Sequence, residues 1–253
     1  MAEGDTIHRA ALRLDAALGG RTIELGEAPN PRSPIHGRAA ELRGRTLERV
    51  EARGKHLIAS FSGGAALHSH LGVNGRWQIR ADGRAPSGRP WLLLASGRGV
   101  AAQFGGKLLR LVSESRVRND PSLIQLGPDP LGPDFDLEAA AARLVRAGDG
   151  RELGDALLDQ AIVAGVGNAI RNEACFRARI SPWRQIRDLA PGEAERAIAE
   201  CRWIMRTSLA TGRRPRSIYR DANRPCPRCG TTIQSRGQGD SNRMAYWCPG
   251  CQR

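Results

Sequence analysis

Leu157-Leu158-Asp159-Gln160-Ala161-Ile162-Val163-Ala164-Gly165-Val166-Gly167-Asn168-Ala169-Ile170-Arg171-Asn172-Glu173-Ala174 holds two helical runs joined by a glycine-interrupted turn. Gly165 and Gly167 loosen the backbone where the second run begins. The N–H groups of a helix start, together with the partial positive end of its dipole, suit a phosphate oxygen. Taken alone, the stretch reads first as a plain helical hairpin with a tight turn, so any further meaning depends on what flanks it.

The same alanine-rich, helical character extends to both sides. Asp136–Arg146 is an amphipathic run, Glu152–Ala161 is expected as a second helix, Asn168–Arg177 as the helix after the turn, and Glu193–Thr211 as the longest. Upstream, Asn119–Asp136 carries Pro121, Pro128, Pro130 and Pro133 and reads as a linker. Before the linker the period changes from helical to short and β-leaning. Arg21–Leu25, Thr46–Ala52, His56–Phe61, Ala65–His70, Trp77–Arg80, Trp91–Ala95, Val100–Phe104 and Leu108–Val112 are separated by turns such as Ser62-Gly63-Gly64. About eight short strands at this spacing point to a sandwich or barrel. A helix leads them over residues 5–19, with Asp5 or Thr6 as cap, Ile7, Ala10, Ala11, Leu14 and Leu18 on one face, and Gly19-Gly20 as the stop.

Downstream lie Cys226-Pro-Arg-Cys229 and Cys248-Pro-Gly-Cys251, eighteen residues apart. Two such knuckles supply four thiolates in pairs from tight turns, the donor set of a tetrahedral Zn2+ site, with room between them for a β-hairpin. A disulfide pair is the competing use. Cys175 and Cys201 have no evident partner, and this usage suits a reducing, cytoplasmic compartment. From Arg213 to Arg253 there are nine arginines against two acids, Asp221 and Asp240.

The 253 residues carry a formal charge of +13. An arginine-heavy codon usage explains why only two of the 39 basic residues are lysines, Lys55 and Lys107, but not the excess of base over acid. A polyanionic partner, nucleic acid first, follows from that excess. Lysine's rarity also marks Lys55 as a place for a compact point charge. No run of eighteen apolar residues spans a membrane, and the acidic start Met1-Ala2-Glu3-Gly4-Asp5 lacks a signal-peptide core.

The central string, continued through Ser181-Pro182-Trp183, resembles the helix–two-turn–helix of the formamidopyrimidine-DNA glycosylase/endonuclease VIII family. Glu3-Gly4-Asp5-Thr6, Arg53-Gly54-Lys55-His56-Leu57, and the cysteine module with Arg243 ahead of Tyr246-Trp247-Cys248-Pro249-Gly250-Cys251-Gln252 resemble the same family in the same order. The resemblance covers essentially the whole chain. It implies an α+β protein: a leading helix and two-sheet β-sandwich (1–118), a linker (119–135), a helix–two-turn–helix domain (136–222), and a zinc-finger β-hairpin (223–253). It further implies a monomeric, nucleoid-associated enzyme of base excision repair, both DNA glycosylase and AP lyase. The partner is double-stranded DNA with damaged bases or abasic sites, held in a cleft between the domains.

In that family the nucleophile is the N-terminal amine exposed by loss of Met1, normally a proline; here the residue is Ala2. An α-amine with a pKa of about 7.7–8 is partly neutral near pH 7 and can form the imine from which β-elimination proceeds. Proline's fixed geometry is lost, so the alternative is a lyase-deficient or non-catalytic binder of damaged DNA on the same scaffold. Glu3 matches the acid/base carboxylate; as plain sequence it is a helix-start acid facing the dipole. Lys55 matches a phosphate contact close to the reacting nucleotide, with Asn168 and Arg243 as partners in the clamp. His70 matches a further phosphate contact, against the ordinary role of a strand histidine satisfied in the core. Val73 stands where a larger wedge usually fills the gap left by the extruded base. A second void-filling loop is expected near Gln103-Phe104-Gly105-Gly106. The missing Asp-Pro-Arg-x-Phe-Gly pattern, with the Glu-Gly-Asp-Thr start, points to the endonuclease VIII-like branch and oxidised pyrimidines. A basic zinc ribbon alone would also suit a transcription or RNA-binding factor, which leaves Glu3, Lys55 and Asn168 without a purpose.

Overall fold

The apolar residues of the leading helix fall on one side when wound at 3.6 per turn, and that side is buried. In a computed structural model, which describes residues 2–147 and 150–253, this helix α1 runs Gly4–Leu18. Met1, whose removal the amine chemistry requires, lies outside the described residues. The helix starts earlier than its Asp5 or Thr6 cap predicts. Glu3 occupies the N-cap, its carbonyl accepting from Thr6 N at 2.9 Å and Ile7 N at 3.1 Å, so Asp5 sits in the first turn beside the dipole's positive end.

The chain divides into two compact units, Met1–Ile124 and Gln125–Arg253. In the first, β1 (Leu25–Glu27), β2 (Leu47–Arg53), β3 (His56–Phe61), β4 (Ala65–His70), β5 (Arg76–Arg80), β6 (Leu92–Ser96), β7 (Gly99–Phe104) and β8 (Leu108–Ser113) make two antiparallel four-stranded sheets. Their orders are β1-β6-β7-β5 and β2-β3-β4-β8. Gly63 and Gly64, at φ 75° and 73°, make the tight β3–β4 hairpin, a double left-handed turn that other residues adopt only under strain. Leu57, Phe61, Leu67 and Leu109 of one sheet meet Leu92, Leu94 and Ala101 of the other and the buried face of α1 in a single core.

The expected strand Arg21–Leu25 is not one strand. Leu47 N bonds Arg21 O and Ile23 N bonds Arg45 O on the β2 side, whereas Glu24 N bonds Ala95 O on the β6 side. The segment crosses from one sheet to the other, so neither ladder claims it whole. Short helices α2 (Glu114–Arg118) and α3 (Pro121–Ile124) close the unit.

In the second unit α4 (Leu137–Arg146) is capped by the Asp136 side chain, 3.0 Å from Ala139 N. The expected helix 152–161 stops after α5 (Leu153–Ala156). Asp159 Oδ1 takes Ala161 N at 2.9 Å, and Gln160 Nε2 donates to Leu158 O and Val166 O, so side chains capture the backbone groups that a longer helix needs. α6 (Asn168–Ala178) and α7 (Glu193–Thr211) follow, then the hairpin β9 (Gln234–Gln238) and β10 (Arg243–Trp247). Among the described residues no helix is long and apolar enough to cross a membrane.

Candidate functional site

Ala2 and Glu3 owe their place to α1. Because the helix packs its first turn into the core, Glu3 is fully buried while Ala2 lies half-buried just ahead of it. Ala2 borders a groove of about 330 Å³ shared with Thr6, Arg9, Val73, Arg76 and Trp77. Val73 stands 58 % exposed at the tip of the turn after β4, so a side chain of modest size projects at this groove. Arg76 lies over the Phe104 ring at 4.4 Å. The loop after Phe104 is tied down by Gln103, which is fully buried: its Nε2 donates to Gly105 O at 2.8 Å and its Oε1 accepts from Ser69 Oγ at 2.7 Å.

Lys55 follows Gly54, whose φ of 57° makes the β2–β3 turn, and the next residue, His56, pairs with His70 in the β3–β4 register. Burial, then the charges of Lys107 and Lys55, holds the His70 imidazole below its ordinary pKa. Behind His70 lies a constellation that sequence reasoning missed. His56 Nδ1 is 2.8 Å from His68 Nε2, and His68 Nδ1 accepts from Arg110 Nε at 3.2 Å and Nη2 at 2.9 Å. Arg110 in turn pairs with the carboxylate of Asp120. Burial first, then neighbouring positive charge, pushes His56 down to about 3 and His68 down to about 4. Three of the five histidines within fifteen residues of alternating strand were the available signal.

In the second unit Asn168 opens α6 and its amide is already committed. Nδ2 donates to Met244 O at 3.1 Å and Oδ1 accepts from Arg171 Nη2 at 2.5 Å. Arg171 is completely buried and also bonds Gln238 and, at 3.3 Å, Met244 O. Asn172 Oδ1 takes Tyr246 N at 2.6 Å. The β9–β10 hairpin is thus fastened to the start of α6, and Arg243, exposed at its turn, is held beside Asn168 through the backbone of Met244. Glu173, likewise buried, accepts from Ser217 N, Ile218 N and Tyr219 N at 2.8–3.0 Å and anchors the chain entering the cysteine module.

Cys226, Cys229, Cys248 and Cys251 bring their sulfurs within 4.8 Å of one another. Cys226 and Cys251 Sγ are 3.9 Å apart and Cys229 and Cys248 Sγ 3.5 Å, with all four free. A disulfide needs about 2.05 Å. A tetrahedron with metal–sulfur arms of about 2.3 Å has edges near 3.8 Å, so the set can hold a metal ion. Cys175 and Cys201 are fully buried; burial pushes the Cys175 thiol up to about 12, which makes it inert.

Residues 1–111 match the sequence profile of the formamidopyrimidine-DNA glycosylase N-terminal domain, and residues 126–219 that of the formamidopyrimidine-DNA glycosylase H2TH domain. The chain is 38 % identical to a probable endonuclease 8 2 of Streptomyces coelicolor, over 100 % of this chain and 94 % of that protein. It is 36 % identical to the DNA-(apurinic or apyrimidinic site) lyase Nei2 of Mycolicibacterium smegmatis, over 100 % and 99 %. A structure of Lactococcus lactis Fpg in complex with DNA containing an abasic site superposes with a TM-score of 0.84 over the full length of both chains; at 23 % identity this likeness shows the fold.

Proposed function

The chain belongs to the formamidopyrimidine-DNA glycosylase/endonuclease VIII family, in its endonuclease VIII-like branch, and from that premise we propose that it is a DNA glycosylase and AP lyase acting on oxidised pyrimidines in duplex DNA. The observation that carries this reading is Ala2 at the mouth of a groove, immediately before a carboxylate buried at the start of a helix.

With Met1 removed, the Ala2 amine attacks C1′ of the damaged nucleotide. The C1′–N bond breaks, the base leaves with a proton, and opening of the sugar ring gives an imine between Ala2 and C1′. Glu3, adjacent to the amine, is the group for protonating the ring oxygen as it opens. A proton then leaves C2′, the electron pair forms the C2′–C3′ double bond, and the 3′ phosphate departs with the strand. Hydrolysis frees the enzyme. Val73 fills part of the space left by the base, which costs a few kcal/mol to extrude. Lys55, His70, Asn168 and Arg243 bind phosphates, which positions the duplex without reading its sequence. The four cysteines would hold one Zn2+ in a structural role, since four protein thiolates leave no place for a reactant.

Borohydride trapping on duplexes carrying an abasic site or 5-hydroxyuracil tests the reading, with intact mass spectrometry of the same sample. The expected result is a covalent adduct mapping to Ala2. Tight binding with no adduct, from protein lacking Met1, favours the lyase-deficient alternative that the loss of proline raises.

A further inference from the structure

The histidines described above lie on the face of the β2-β3-β4-β8 sheet turned away from the sandwich core. Side chains alternate along a strand, and Leu57, Leu67 and Leu109 point into the core. His56, His68, His70 and Arg110 therefore share the opposite face, with His56 paired to His70 and His68 to Arg110. The corner between α2 and α3 covers His68, placing the Asp120 carboxylate 3.9 Å from His68 Nδ1, beyond hydrogen-bond reach, with Arg110 bridging the two.

Hydrogen-bond logic assigns every proton. Arg110 can only donate, so His68 Nδ1 carries no hydrogen and its proton sits on Nε2. That Nε2–H donates to His56 Nδ1, which puts the His56 proton on Nε2. Gly72 N donates to His70 Nδ1 at 3.1 Å, so the His70 proton is on Nε2 as well. His56 and His70 meet edge-to-face, with ring centroids 4.7 Å apart. Each is left with one N–H that has no acceptor among the described residues. The chain's two lysines both bear on this pair: Lys55 adjoins His56, and Lys107 N donates to His70 O at 2.8 Å.

We propose that Lys55, His56, His70 and Lys107 form one phosphate-binding subsite, in which two neutral imidazoles donate Nε2–H and two lysines supply charge, and that His68, Arg110 and Asp120 are positioning residues that set the tautomer and direction of His56. The ligand is one phosphodiester of the DNA backbone. This inference rests on the reading of Lys55 and His70 as DNA contacts and adds His56, Lys107 and the relay behind them. Burial is the first reason the imidazolium is disfavoured at all three histidines, and the charges of Lys55, Lys107 and Arg110 act in the same direction; Asp120, the acid 3.9 Å from His68 Nδ1, is paired with Arg110.

The two kinds of donor separate in a salt titration. A neutral donor releases no counterion, whereas each lysine bound to a phosphate steepens the salt dependence by nearly one. Binding of the full-length zinc-loaded protein to a duplex with a tetrahydrofuran abasic analogue, followed by anisotropy between 50 and 300 mM salt in roughly equal steps, is the experiment. His56→Ala is expected to weaken binding about tenfold at every salt concentration, as loss of a hydrogen bond to a charged group does, with the slope unchanged. Lys107→Ala is expected to lower the slope by about one. His68→Phe is expected to weaken binding about threefold at unchanged slope, the smaller loss following from its indirect action through His56. Because that variant can misfold, nitrogen-15 NMR of the wild-type imidazoles gives a second reading: at pH 7 all three are Nε2–H tautomers, and His56 and His68, held down to about 3 and about 4, stay neutral well below the ordinary histidine range. Normal binding by His56→Ala where Lys55→Ala binds weakly would overturn the subsite and leave the wider function standing. Normal binding by Lys55→Ala would remove both. A protonated His56 at pH 6 would overturn the neutral-donor assignment.

Discussion

All five histidines of this chain lie in the first unit and all six cysteines in the second. Each unit must present polar groups at its surface in fixed directions, and each does so with different chemistry. The first has a large core of both sheets and α1, so His56 and His70 ride on paired strands and need only a short relay to orient them. Among the described residues the terminal module of the second has a small buried cluster, Phe176, Ile218, Cys226, Ile233 and Cys248, with Tyr246 and Cys251 packed against it. Two of those five are cysteines of the metal-binding set, so apolar burial alone cannot hold the hairpin. One buried arginine, with four cysteine sulfurs close enough to hold a metal ion, supplies the rest of the fastening. The lesson is that core size decides the fastening: where apolar area is short, a few strong polar bonds replace it.

The contrast breaks most visibly under a chelator. Structural zinc contributes about 10–16 kcal/mol in small modules, so its removal, or Cys248→Ser, is expected to unfold the hairpin and abolish DNA binding while the first unit keeps its melting transition. Calorimetry with and without chelator checks this; loss of both transitions together would break the comparison. Next in size is Arg171→Ala. It strips a fully buried guanidinium from Asn168, Gln238 and the hairpin carbonyls, with an expected cost of about 3–5 kcal/mol in the second unit alone, read by denaturant titration.

Acid sharpens the comparison from the other side. His56 and His68 have depressed pKa values in the folded state, so the unfolded chain binds protons first. The stability they protect is complete above about 6.5, declines as the pH falls below that value, and is fully lost by about 4 for His68 and about 3 for His56. Between pH 7 and 5 the first unit is expected to lose about 1–2 kcal/mol once partial exposure is discounted. The second unit contains no histidine and should hold its melting temperature over that range.

Legibility in the sequence followed the reach of each interaction. The four cysteines were readable because two knuckles carry their own geometry. Seven of the eight strand runs were readable because glycine and serine turns delimit them. Arg21–Leu25 misled because its halves bond to different sheets, and a local pattern cannot show which ladder a residue joins. Residues 157–161 misled because Asp159 and Gln160 spend their side chains on nearby backbone, which helical periodicity does not register. Arg171 looked like one more surface cation in an arginine-rich chain; its hairpin partners lie about seventy residues away.

The sequence by itself determined the change from β-leaning to helical character, the cysteine set and the motifs that resemble the family, because each is local to one stretch of chain. The tertiary structure alone decided that Ala2 borders a groove, that Asn168 holds the hairpin through Met244, and that His68, Arg110 and Asp120 stand behind His56. Those facts depend on register between strands and on burial. Both arise only when distant segments pack and leave a polar group no water to bond, so that its partner must come from elsewhere in the fold.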